Sequence, residues 1–155
     1  MNSFQIQPLV LTSQSDLDPL LQASLAEGYT FLQRLWDEYQ AGVSRFDAPG
    51  AALLGVYAGD HLIAVGGVHC DPYLNQLEIG RIQHVYVLPN YRRAGVGRRL
   101  MAALIEQARS RFSVLTLRTP TAHGDAFYRS LGFSTEPRFA EATHWISLST
   151  EAKSD

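Results

Sequence analysis

Cysteine is almost missing: Cys70 is the only one in 155 residues. No intrachain disulfide can form, and a cysteine-based zinc module is excluded. Lysine is as scarce. Of 13 cationic side chains only Lys153 is a lysine, and the rest are arginines, the better forks for phosphate and carboxylate. Charge of one sign is lacking too, with 13 Lys+Arg against 15 Asp+Glu and a net charge of −2. That excludes nucleic-acid binding by bulk positive charge. No apolar run approaches the ~18 residues of a membrane span. The opening MNSFQIQPLV has neither a basic start nor a long apolar stretch, so it does not read as a signal peptide. The five histidines lack metal-ligand spacing, and no metal site is expected. A cytoplasmic setting without membrane or nucleic-acid partners is the expectation.

What is present is enough for one domain. Hydrophobic residues make up 46% and charged residues 18%, which is neither disordered nor supercharged. The expectation is a single domain over residues 1–148 and a flexible tail over 149–155. Phe4–Gln7 alternates as a first strand, and Pro8 confines it to an edge. Leu17, Leu20, Leu21 and Leu25 mark a helix capped by Ser13 or Ser15, with Gly28 interrupting. Phe31, Leu32, Leu35, Trp36 and Tyr39 mark a second helix, stopped by Gly42. Ala51–Tyr57 and Leu62–Cys70 form a hairpin, and Leu77–Leu88 a long strand. Gly95 and Gly97 open a helix carrying Leu100, Met101, Leu104, Ile105 and Ala108. Then come a strand at Val114–Arg118, a short helix at Asp125–Leu131, and strands at Phe133–Arg138 and Thr143–Leu148. The pattern predicts an α/β fold: a mixed, mostly antiparallel twisted sheet of about seven strands flanked by about four helices.

The stretch from Val85 to Leu100 is the most informative. It reads strand, turn, glycine loop, helix start. A helix N-terminus offers unpaired N–H groups and a partial positive charge to an anion. The Walker form is excluded because Arg98-Arg99, not Lys-Ser/Thr, follow Gly97. The dinucleotide form is excluded because Leu100 stands where a small residue is needed, and no first βαβ unit precedes. Arg-x-x-Gly-x-Gly remains, met by Arg92, Gly95 and Gly97. About 30 residues on comes Phe127-Tyr128-Arg129-Ser130-Leu131-Gly132-Phe133.

Together these motifs resemble those of the GNAT N-acetyltransferase superfamily. The segment Val87–Gly97 resembles its acetyl-CoA pyrophosphate loop, and Phe127–Phe133 its F-Y-x-x-x-G-F signature. The element order matches the family's fold over most of the chain. The chain departs from the family where Thr121 and Gly124 replace a frequent Asn and Ala, and where Arg93-Ala94 replace a frequent Gly-Lys.

The resemblance implies transfer of acetyl from acetyl-CoA directly to the primary amine of a small molecule, in a ternary complex. It puts the pyrophosphate on the N–H groups of Arg93, Ala94, Gly95, Val96, Gly97 and Arg98, with Arg92 adding charge. It lays the pantetheine arm beside Val85, Tyr86 and Val87. Tyr128 takes the role of general acid toward the leaving thiolate and also touches the cofactor. Glu78 and His84, both on the long strand, are the candidate general bases, with a bound water as the other choice. Tyr29, Phe31 and Arg45 are the expected acceptor contacts, two aromatic walls and a cation for a carboxylate. Adjacent strand residues face opposite ways, so His69 does not activate Cys70. Homodimer formation is compatible with this reading. Two other readings keep the same loop: a protein lysine or N-terminal acetyltransferase, and an acyl-CoA-binding module without catalysis.

Overall fold

The computed structural model describes residues 3–148, so the expected tail, 149–155, lies outside the described residues. The chain runs β1 (Gln5–Pro8), α1 (Asp18–Ala26), α2 (Phe31–Gln40), β2 (Ala52–Ala58), β3 (His61–Cys70) and β4 (Ile79–Val87). It continues through α3 (Val96–Ala108), β5 (Val114–Leu117), α4 (Ala122–Ser130) and β6 (His144–Ser147). The strands form one sheet in the order β1-β2-β3-β4-β5-β6. Every neighbouring pair is antiparallel except β4–β5, which is parallel. Pro8 sits at the end of the edge strand β1, as its missing N–H requires.

Apolar residues at helical spacing explain which helix lies on which face. Leu17, Leu20 and Leu21 at the start of the chain, with Leu32 and Leu35 of α2, pack on Leu53, Leu62, Val65 and Tyr86. On the other face Val96, Leu100, Met101 and Leu104 of α3 pack on Val56, Ala64, Val68, Ile82 and Leu115. Each such side chain, fully buried, stabilises the fold by about 1.5–3 kcal/mol.

Three boundaries differ from expectation. The expected strand Phe133–Arg138 is not a strand, and the sheet has six strands rather than about seven. Only Ser134 is bridged, exchanging two backbone hydrogen bonds with Trp145 at 2.7 and 3.0 Å. Ser134 then turns the chain by accepting the Glu136 N–H on its hydroxyl, and Pro137 has no N–H to continue a ladder. The long strand starts at Ile79, so Leu77 and Glu78 belong to the preceding turn. Helix α4 starts three residues early because the Thr121 hydroxyl caps it, accepting the Gly124 N–H at 2.9 Å.

One buried cluster fixes the joint between β4 and β5. Their ladder registers Ile79, Gly80 and Arg81 with Val114, Leu115 and Thr116. At its last rung the Thr116 hydroxyl donates to Asp71 Oδ2 at 2.5 Å. Arg81 Nη1 stands 3.5 Å from the same oxygen, and its Nη2 donates to the Glu141 carbonyl at 2.8 Å. All three side chains are buried. Removing one partner would leave an uncompensated buried group, so this clamp holds the last rung where it is.

Candidate active site

Beyond that rung β4 runs on to Val87, while β5 ends at Leu117 and the chain turns into α4. The sheet therefore parts along Val85, Tyr86 and Val87, and a strand edge is left open on the β5 side. Open edges carry unpaired N–H and C=O groups and accept an extended ligand as an added strand.

On its other edge β4 carries a bulge. Val65 pairs with Tyr86 and Gly67 with Gln83, so His84 and Val85 together oppose Gly66. His84 takes the left-handed conformation that accommodates the extra residue, at φ 62°. The bulge turns its imidazole to the face covered by α2, against Phe46 at a ring distance of 6.3 Å. Phe46 packs against Gly67, where a Cβ would come within 2.7 Å of the ring, and it also meets His69 at 5.3 Å. His69 Nε2 donates to Gln83 Oε1 at 2.6 Å.

Burial is the main force lowering the His84 pKa, to about 4, with the nearby charges of His69 and Arg34 adding to it. The Phe31 carbonyl acts the other way, as an acceptor for the ring. Nδ1 is buried and has no hydrogen-bond partner. A buried ring nitrogen without a partner is an unfavourable arrangement.

The glycine loop lies at the C-terminal end of β4. Pro89–Tyr91 form one 3₁₀ turn, and Arg93 and Gly95 take positive φ values of 67° and 80°. Gly95 is the N-cap of α3, and no side chain caps that helix. Among the described residues the N–H groups of Val96, Gly97 and Arg98 have no protein acceptor. A Cβ on Gly95 would meet nothing within 4 Å, so the loop mouth is clear. Gly97 is different: its Cβ would lie 3.3 Å from Phe127, so it lets α3 approach α4 closely. Arg98 reinforces that contact by donating to the Ser130 hydroxyl at 2.8 Å.

Arg92 is committed to protein. Its Nε donates to the Val87 carbonyl at 2.9 Å, and its two terminal nitrogens fork onto Glu27 at 3.0 and 2.7 Å. Tyr86 donates to the same carboxylate at 2.5 Å. These bonds, that of Arg92 first, hold the Glu27 carboxyl below its ordinary range. Burial, with Glu27 second, pushes the Tyr86 hydroxyl well above the phenol range. Arg92 therefore ties the end of α1 to the base of the loop. Ala94 and Arg93 are exposed at the loop's tip.

Tyr128 is buried on α4, between Phe127, Phe133 and His144 at ring distances of 5.0, 5.7 and 6.1 Å. Burial alone pushes its hydroxyl well above the phenol range, so it stays protonated. Among the described residues the hydroxyl has no hydrogen-bond partner. Behind it, buried His144 bridges Asp125 at 2.9 Å and Thr143 at 2.7 Å, fixing α4 to β6. Gly124 is tightly enclosed, since a Cβ there would meet the Thr119 hydroxyl at 2.4 Å.

The remaining sequence candidates separate. Glu78 is exposed at the far end of β4, about 23 Å from Val85 by strand rise, so the structure does not bring it to the open edge. Tyr29 and Phe31 do come together, 5.6 Å apart, and Phe31 meets Tyr86 at 6.2 Å. Arg45 is occupied in closing α2, donating to the carbonyls of Tyr39 and Gln40 at 2.8 and 3.2 Å. Cys70 donates to the Gln76 carbonyl at 3.6 Å, away from the bulge. Glu27 escaped the sequence reading because an isolated charge on an amphipathic helix looks like any solvated one. The pairing of Asp125 with His144 escaped it because it joins two elements 19 residues apart.

A sheet parted at a parallel joint, with an uncapped helix at the mouth of the gap, defines a site for an extended anionic ligand. The model of the acetyltransferase (GNAT) domain family matches residues 50–135, more than half of the chain, and the chain belongs to that family. A protein of Exiguobacterium sp. 255-15 assigned as an acetyltransferase is 27% identical, with 99% of each chain covered and a TM-score of 0.84. An acetyltransferase of Streptococcus agalactiae 2603 shares the fold at 14% identity and a TM-score of 0.71, covering 94% of this chain and 98% of its own. The ribosomal-protein-S18-alanine N-acetyltransferase of Escherichia coli does so at 17% identity and 0.62, covering 92% and 89%. No curated protein matches the chain. No helix among the described residues is long and apolar enough to cross a membrane.

Proposed function

We propose that the chain is an N-acetyltransferase that moves an acetyl group from acetyl-CoA to the primary amine of a small molecule. The parting of β4 from β5 carries this reading. It leaves the edge at Val85–Val87 open beside the uncapped start of α3. Acetyl-CoA supplies an activated thioester. Its diphosphate suits the N–H groups from Arg93 to Arg98, and its amide-bearing arm suits the open edge.

The chain's own residues divide the remaining work. A backbone N–H of the open edge stabilises charge developing on the thioester oxygen. The amine nitrogen attacks the carbonyl carbon, a C–N bond forms and the C–S bond breaks. His84 Nδ1 accepts an amine proton. Its low pKa keeps it neutral throughout the working range, and the nitrogen becomes more acidic as the C–N bond forms. The Tyr128 proton goes to the departing sulfur, and solvent restores it. Tyr128 also weighs against a binding module without catalysis. Glu78, at the far end of the strand, has no part in this scheme.

The test is calorimetry with acetyl-CoA, then thiol release with a panel of small primary amines and with peptides bearing free N-termini or lysines. Micromolar-range binding and turnover with a small amine are expected. Turnover confined to peptides would move the function to protein acetylation. Absence of binding would overturn the reading.

A further inference from the structure

Phe46 packs on the His84 imidazole, and packing alone holds it there. Among the described residues Phe46 makes no hydrogen bond. Its neighbours in the chain are tied. Arg45 donates to the carbonyls of Tyr39 and Gln40, and the Ala51 N–H closes a turn onto the Ala48 carbonyl at 3.0 Å. Phe46 itself has a left-handed φ of 59°, a conformation that bulky side chains rarely take. Contacts of the ring therefore keep the residue where its backbone does not favour it. They include His69 at 5.3 Å, His84 at 6.3 Å and the bare backbone of Gly67.

The ring also has somewhere to go. A cavity of about 440 Å³ lies between the end of α2 and β3. Val43, Ala48, Ala51, Phe46 and His69 are among its walls, and His84 is not. The Phe46 ring meets both the cavity and the His84 imidazole, so it stands between them. The imidazole it covers carries the unpartnered Nδ1. We propose that Phe46 is the gate of the acceptor site: the amine arrives through this cavity, and the ring swings aside to admit it to His84. This rests on the acetyltransferase reading above. The gate also sets which amines pass. The small apolar walls at Val43, Ala48 and Ala51 suit a slim apolar arm next to the nitrogen, and the ring limits its width.

The test uses diethyl pyrocarbonate, which acylates neutral imidazole nitrogens, at about pH 7.5, where histidine is largely uncharged. Peptide mass spectrometry follows each histidine, with exposed His61 and His123 as internal references. An open state populated at roughly 0.1–10% makes His84 of the natural chain react about ten-fold or more slowly than those two. Two variants free it by different routes. Phe46→Gly deletes the ring and suits the left-handed backbone. Gly67→Ala keeps the ring and pushes it from its seat, since the three atoms nearest the new Cβ all belong to Phe46. In both, with folding checked by circular dichroism, His84 should react about ten-fold faster while His61 and His123 keep their rates. Thiol release from acetyl-CoA then compares ethylamine, benzylamine and naphthylmethylamine. Phe46→Gly should shift kcat/KM toward the widest amine by about ten-fold. A natural His84 as reactive as His61 overturns the inference, and so does a His84 rate unmoved in the folded variants. An active Phe46→Gly that ranks the amines as the natural chain does also overturns it, and acetyl transfer then stands. No thiol release with any amine by the natural chain, while acetyl-CoA is bound, overturns the acetyltransferase reading and the acceptor's route with it.

Discussion

At the scale of single residues, environment rather than identity sets what each group can do. Tyr128 and Tyr86 are both phenols raised by burial, yet their uses differ. Tyr86 donates its hydrogen bond to Glu27 in a fixed clamp, whereas Tyr128 has a hydroxyl without a protein partner among the described residues. Only the second is free to donate to something that arrives. Tyr128→Phe removes that donor and keeps the ring against Phe127, Phe133 and His144. We expect kcat to fall by roughly 10²–10⁴-fold, the usual worth of a positioned acid, with acetyl-CoA affinity nearly unchanged. The defect should shrink at high pH, where the thiolate leaves without a proton. Steady-state kinetics over a range of pH, with calorimetry for the cofactor, decide it. Normal turnover at pH 7 in the variant would assign Tyr128 to packing.

At the scale of elements, the two loop glycines do different work, and the sequence could not separate them. Gly95 needs its positive φ, and nothing crowds it. Gly97 instead lets α3 meet Phe127, the neighbour of Tyr128. Gly95→Ala should therefore destabilise by about 1 kcal/mol through backbone strain alone. Gly97→Val forces Phe127 aside, so melting temperature, acetyl-CoA affinity and turnover should fall together. Thermal denaturation and calorimetry on both variants check this, and a fully stable Gly97→Val that has lost only affinity would instead place its side chain in the phosphate's path. Most of the framework was legible in the sequence, because hydrophobic period and glycine stops are local signals: α2 ends before Gly42, and α3 starts after Gly95. The seventh strand was misread because Phe133–Arg138 carries strand-like residues, while Ser134 and Pro137 decide its backbone. The β4 bulge was illegible for another reason. It arises from register between two strands, and nothing in Gln83-His84-Val85 announces it. The site was readable only as far as its motifs; the partners of Arg92 depend on which elements meet.

At the scale of the whole molecule, the buried histidines make stability depend on pH before any carboxylate titrates. His84 has an ordinary pKa of 6.5 when unfolded and about 4 when folded. The His69 pKa is lowered too, chiefly by burial. Between these limits the unfolded chain binds more protons than the native one, so stability rises with pH there and falls as pH drops. One such group changes stability by at most about 1.4 kcal/mol per pH unit. Over the whole interval His84 accounts for up to about 3 kcal/mol, on the order of magnitude that its burial allows. Glu27, Asp16 and Asp125 have lowered carboxyl pKa values, so their contribution disappears only at still lower pH. Acid should thus weaken the fold in two stages, histidines first and carboxylates second. Burial and the charges of His69 and Arg34 act against protonation of His84, the Phe31 backbone acts the other way, and no carboxylate among the forces acting on it favours its charging. Denaturant unfolding at pH values from 7.5 to about 4.5 should show the first stage as a steady loss below pH 6.5. His84→Asn is the informative variant, because asparagine tolerates the left-handed backbone that the bulge demands and does not titrate. Its stability curve should be distinctly flatter over that interval, whatever its absolute level. A slope equal to that of the natural chain would mean that His84 is not held neutral by the fold, and would remove it as the acceptor of the amine's proton.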